Sequence, residues 1–250
     1  MADVTLTYKG ATIGELSESG NKTIKTAGKY CEDDILLDYV RPEGGGDIDP
    51  IPDLPSGYTK VNCVSIPMGG YVNTGVNPTT ITSEYYMDAR MDTPISNLQT
   101  AGMYFGSKAP SQVVAYVGNF TAYNGVVFQF MSSSFTQVGQ KSNSRVVIKS
   151  GLGMIKSSVD DTQAYFTPSY NATNNNRPVL IAARQTDDGT GIERNCALTV
   201  WRYVHKKEGV KQIDLIPCKQ NSNNEFGFYD AVSGAFFGNS GSGTFTEGVE

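Results

Sequence analysis

The chain of 250 residues contains one histidine and one tryptophan, and none of its four cysteines forms a C-x-x-C pair. One imidazole and scattered thiols supply no ligand set for a tetrahedral zinc site. Charge is scarce as well: 18% of residues are Asp, Glu, Lys or Arg, the formal net charge is −5, and no Lys/Arg cluster occurs. That argues against nucleic-acid binding, which rests on neutralising phosphates with grouped cations. No apolar run approaches the roughly 20 residues of a membrane-spanning helix. The opening MADVTLTYKG alternates like a strand and lacks the basic and apolar blocks of a secretory signal, so synthesis in the cytosol is expected. In that compartment Cys31, Cys63, Cys196 and Cys218 are expected as buried free thiols. A Cys63–Cys218 disulfide stays open should the first and last strands be neighbours. A convincing helical period is also absent.

What the chain has instead is Gly, Ser, Thr, Asn and Tyr, a composition suited to many strands joined by turns. Its C-terminal stretch organises the rest. Residues 211–248 read as strand, polar turn, strand, Ser-Gly turn, strand, Gly-rich turn and final strand. Aromatics flank the Ser233-Gly234 dipeptide, a hairpin signal, and Asp230 stands before it where a short carboxylate can accept backbone N–H bonds. So much aromatic surface requires a large partner sheet upstream.

Residues 1–41 form a small β-rich module. Val4, Leu6 and Tyr8 alternate with polar residues, 11–16 continues after a Lys-Gly turn, 23–26 is a third strand, and 28–39 carries Tyr30, Ile35, Leu37 and Tyr39. A module of this size is too small to bury a comfortable core and is expected to dock on another surface. Residues 42–57 contain three consecutive glycines and then Pro50, Pro52 and Pro55, the composition of a linker.

From residue 58 to 250 about a dozen short strands follow at even spacing: 60–66, 71–74, 83–91, 102–106, 113–118, 126–131, 145–149, 152–159, 179–184, 198–205, 213–217 and the closing set. In 83–91, Tyr85, Met87, Ala89 and Met91 share one face and Glu84, Tyr86, Asp88 and Arg90 the other, as in a half-buried antiparallel strand. The expected fold is all-β, a two-sheet antiparallel jelly-roll sandwich.

Two motifs then carry a resemblance. The stretch SGYTKVNCVSIPMGGYVNTGV and the ending LIPCKQNSNNEFGFYDAVSGAFFGNSGSGTFTEG resemble the two ends of concanavalin-like, laminin-G-like jelly-roll domains in phage and prophage proteins. The likeness covers residues 55–250 and is weak in the middle. Separately, Gly28–Ile35 (GKYCEDDI) resembles the core of a short N-terminal module in tail and other structural proteins of such phages. Together they imply a virion structural protein, tail- or capsid-attached. Residues 1–41 would bind other virion proteins, and an exposed jelly-roll head would be displayed in several copies and contact a host-surface glycan. A decoration protein without ligand is the alternative, and a glycan-processing enzyme a further one.

Residue chemistry argues against an enzyme. Glycoside hydrolysis needs two carboxylates facing across a cleft, whereas Asp88, Asp92, Asp160, Asp161, Asp187, Asp188 and Glu225 are scattered over strands and turns. His205, the sole imidazole, has no G-x-S-x-G elbow near it. Neither catalytic residue nor cofactor is expected. Asp187, Asp188 and Glu193 lack the alternating spacing of a calcium loop, and the NATNNN run reads as exposed loop. The candidate ligand-binding residues are Thr199, Trp201, Tyr203 and His205, at period two on one face of a strand, opposite Leu198, Val200 and Val204. Such a row offers aromatic planes and polar edges to a sugar; alternatively Trp201 and Tyr203 pack between the sheets.

Overall fold

The computed structural model describes residues 4–8, 11–16, 22–24, 50–78, 83–94, 101–108, 113–118, 125–130, 134–139, 144–151, 154–157, 163–165, 177–186 and 188–249. The chain divides into two compact units, Met1–Pro50 and Ile51–Glu250. Pro50 lies within the Gly/Pro-rich stretch, where the sequence gives the backbone least to bury.

In the first unit, β1 (Val4–Tyr8), β2 (Ala11–Leu16) and β3 (Lys22–Ile24) form an antiparallel sheet in the order β1-β2-β3. A bulge between Leu6 and Thr7 shifts the β1–β2 register. The expected apolar tract at 28–39, with Cys31, lies outside the described residues.

The second unit is all-β, with no helix among the described residues. Six strands form one sheet in the order β11-β10-β9-β8-β15-β6. They are β6 (Val72–Asn73), β8 (Ala101–Ser107), β9 (Val113–Gly118), β10 (Gly125–Phe130), β11 (Ser134–Gly139) and β15 (Leu180–Ile181). The larger sheet runs β14-β13-β12-β7-β18-β19-β20-β21. Its strands are β7 (Ser83–Met91), β12 (Arg145–Gly151), β13 (Met154–Ser157), β14 (Gln163–Tyr165), β18 (Leu198–Lys207), β19 (Val210–Gln220), β20 (Phe226–Asp230) and β21 (Phe236–Phe237). Three short strands join it: β4 (Tyr58–Lys60) on β19, β5 (Val64–Ile66) on β18, and β22 (Thr246–Glu247) on β5. A separate ribbon pairs β16 (Arg184–Gln185) with β17 (Ile192–Glu193).

The two sheets stack as an antiparallel sandwich, with strands such as β7 sending alternate apolar residues into the space between them. Tyr85, Met87, Ala89 and Met91 of β7 enter the shared core with Val146 and Ile148 of β12, Leu215 of β19 and Phe228 of β20. From the six-stranded sheet Phe105 stacks on Tyr85 at 5.1 Å and meets Tyr203 edge-on at 5.7 Å, so these rings bridge the layers. Of the strand expected at 152–159 the described residues are Met154–Ser157, all in a strand, and the one expected at 213–217 extends from Val210 to Gln220.

Both ends of the unit are tied together. Asp230 accepts N–H bonds from Val232 (3.1 Å) and Ser233 (3.0 Å), which fixes the hairpin turn, while Gly234 takes φ +77°. The Gly-rich run beyond it folds onto 67–73. Ser242 N donates to Gly69 O, Ser240 N to Tyr71 O, and Tyr71 N to Asn239 Oδ1. A Cβ at Gly241 would sit 2.2 Å from the Gly69 carbonyl oxygen, so only glycine permits this approach. Cys196 and Cys218 are buried free thiols, and Cys63 is buried as well. The Cys63–Cys218 disulfide left open by the sequence does not form.

Candidate functional site

Strand β18 holds all four candidate residues, and one irregularity decides where they point. Val200 pairs with Ala89 of β7 and Arg202 with Asp88, so Trp201 is an extra residue without a partner on β7. Such a bulge reverses the alternation beyond it. Before it the core-facing residues are Leu198 and Val200; after it they are Tyr203 and His205. The expected single face Thr199–Trp201–Tyr203–His205 is therefore split, two residues to each side, and all four are buried. Only the Tyr203 part of the alternative, packing between the sheets, holds; Trp201 goes to the outer side.

On that outer side Trp201 lies beneath two guanidinium groups, Arg145 at 4.2 Å and Arg90 at 5.7 Å from its ring centroid. The two arginines face each other across β12 and β7. Arg145 donates from Nε (2.8 Å) and Nη2 (2.7 Å) to the two oxygens of Asp88. Arg90 donates to Asp92 (2.7 Å) and to the carbonyl of Val249 (3.0 Å), and Thr199 donates its hydroxyl to Asp92 at 2.7 Å. With 7% of its surface exposed, Trp201 presents no open plane on which a sugar ring could stack.

On the inner side His205 stacks on Tyr85 at 4.5 Å and is 1% exposed. Neither ring nitrogen has a hydrogen-bond partner among the described residues; nor do the phenol of Tyr203 or the hydroxyl of Ser150. Burial lowers the His205 pKa to about 4, keeping the imidazole neutral at ordinary pH. The same desolvation raises Tyr203 well above its usual value.

A second polar constellation, which sequence reasoning missed, lies one strand away. Arg202 donates from Nε and Nη2 to both oxygens of Asp214 at 2.9 Å, Lys211 adds a bond at 2.7 Å, and Asp214 N donates to Asp230 Oδ1 at 2.8 Å. Asp214 is fully buried. A signal was present: one arginine in LTVWRYVH and one aspartate in IDLIP, nearly equidistant from Glu208-Gly209. Both turn residues adopt positive φ, 51° and 75°, the geometry of a tight hairpin that brings the two charges together.

Two further acids, Asp188 and Glu193, serve local structure. Asp188 accepts from the Thr186 hydroxyl and from the amide and hydroxyl of Thr190, which hold its carboxyl down near pKa 2. Glu193 pairs with Lys108 and Arg184. Asp187, Asp160, Asp161 and 171–176 lie outside the described residues. Among the described residues no three His, Cys, Asp or Glu side chains are grouped to hold a metal ion, and no helix is long and apolar enough to cross a membrane. Compared with models of known families and with curated proteins, the chain matches none.

Proposed function

We propose that this chain is a structural component of a phage particle. In this reading residues 1–41 attach to other virion proteins, and the sandwich is displayed on the assembled particle after synthesis in the host cytoplasm. One observation carries it: the two stretches that resemble phage jelly-roll domains, far apart in sequence, are hydrogen-bonded to each other through Gly69, Tyr71, Asn239 and Ser242. A shared closure of this kind is what a common fold would retain at both ends. Display in several copies would let a small anchor suffice, because several weak attachments reinforce one another.

Within this reading, decoration without a ligand is favoured over glycan adhesion along β18, because Trp201 is covered and Tyr203 and His205 face inward. Quantitative mass spectrometry of purified particles is the test. The full chain should be present in multiple copies per particle and a deletion of residues 1–41 should be lost from it. Absence of the full chain from particles overturns the proposal. Capture on a glycan array that falls with Trp201→Ala would restore the adhesive role.

A further inference from the structure

We propose that the inner face of the larger sheet, around His205 and Tyr203, is a buried site for a small neutral hydroxyl-bearing guest, either water or a short polyol. Cross-strand register builds it. Ser150 of β12 stands opposite Tyr85 of β7, and Tyr85 opposite His205 of β18; Tyr203 lies in the adjacent row, opposite Met87 and Leu215. The Tyr203 phenol, both nitrogens of His205 and the Ser150 hydroxyl are buried with no hydrogen-bond partner among the described residues. Buried polar groups are paired almost throughout folded proteins, so the Tyr203 phenol and the His205 imidazole, on one strand and one face, mark a place where hydrogen bonds are to be made, with the Ser150 hydroxyl two strands, roughly 10 Å, away.

The chemistry of the guest follows from the groups that face it. A neutral imidazole offers one donor and one acceptor, and each hydroxyl offers both; a guest O–H matches either. The flanking inward side chains, Met87, Ile148, Ile213 and Leu215, are apolar. An ion would lose its hydration there, and the carboxylate at the end of the Tyr203 row, Asp230 opposite Leu215, already accepts from Asp214 N, Val232 N and Ser233. The rings of Tyr85 and Phe105, stacked at 5.1 Å, provide apolar cover suited to C–H groups between hydroxyls. The inference is independent of any role in a virion.

Tyr203→Phe on the full chain tests it by the sign of one number. With a guest bonded to the phenol, removing the hydroxyl lowers the melting temperature by about 2–4 °C. Without one, the substitution deletes an unsatisfied group and the melting temperature stays or rises; that result overturns the proposal. Crystals grown without polyol and then soaked in glycerol separate the sources. Discrete peaks about 2.7–3.0 Å from Tyr203 Oη or His205 in both crystals assign water. Connected density appearing only after soaking assigns the polyol. If Tyr203 and His205 are instead bonded to protein groups, no guest site exists.

Discussion

Two polar constellations lie on opposite faces of β18, and they satisfy burial in opposite ways. Around Asp214 every charge has a partner: Arg202 grips both oxygens, Lys211 adds a third bond, and the Asp214 amide is taken up by Asp230. Around His205 its own two ring nitrogens, the Tyr203 phenol and the Ser150 hydroxyl are as deeply buried but are bonded to no described protein group. Charged groups must be paired to be buried at all, whereas neutral ones can remain by staying uncharged. The Asp214 side locks the β18–β19 hairpin in one register, and the His205 side stays chemically open.

The largest effect should come from breaking the paired side. Asp214→Ala leaves the Arg202 guanidinium, 8% exposed, without its carboxylate. Stranding a buried charge costs about 3–5 kcal/mol, so thermal unfolding should move down by roughly 6–20 °C. The double variant Arg202→Met, Asp214→Leu should recover most of that loss, since the penalty lies in the unpaired charge. An equal loss in both would mean that the network contributes net stability beyond satisfying itself.

Next comes acid. The folded pKa of His205, about 4, lies below the ordinary value of 6.5. Above pH 6.5 both folded and unfolded chains carry a neutral imidazole and the group is silent. Between 6.5 and 4 only the unfolded chain takes up the proton, so stability falls as pH falls, by about 3 kcal/mol across the window. Denaturant titrations across that range should show a shallower slope for His205→Phe than for the wild type, the difference being about 1.4 kcal/mol per pH unit. Identical slopes would mean that His205 is not held neutral by burial.

Smaller again is the contribution of Asp230, which connects the paired side to the closing turn. Asp230→Ala removes acceptors from the amides of Asp214, Val232 and Ser233. Only the first of these is deeply buried. The expected cost is about 2 kcal/mol, read as a lowered denaturation midpoint with an unchanged slope. A changed slope would indicate that the hairpin opens separately from the sandwich.

The fold was legible because period-two patterning is a local signal, and 83–91 shows it: Tyr85, Met87, Ala89 and Met91 point inward as their alternation implies. Turn chemistry was legible for the same reason at Asp230 and Ser233-Gly234. The site was not. A bulge shifts the faces by one residue, and the cue in LTVWRYVHKK is slight: strict alternation would put Arg202 in the apolar row of Leu198, Val200 and Val204, but it does not say that Trp201 is the extra residue. Every residue beyond an unseen bulge is assigned to the wrong face, so Tyr203 and His205 move from surface to core together. The Arg202–Asp214 pair escaped because pairing depends on register across a hairpin, which sequence spacing only suggests.

The smallest effect concerns the outer neighbour of that bulge. Arg145 covers Trp201 at 4.2 Å while gripping Asp88 with two bonds, yet about half of its side chain, 49%, remains in water. Solvent screening reduces both the ion pair and the cation–π contact at such a position. Arg145→Lys keeps the charge but replaces a planar fork by a point donor that can neither bind Asp88 bidentately nor lie flat on the indole. The expected loss is about 1 kcal/mol, with the Trp201 fluorescence maximum moving to longer wavelength as water reaches the ring. A red shift without loss of stability would show that the guanidinium shields Trp201 without holding the bulge. Loss of stability without a shift would assign the bulge to the Asp88 ion pair alone.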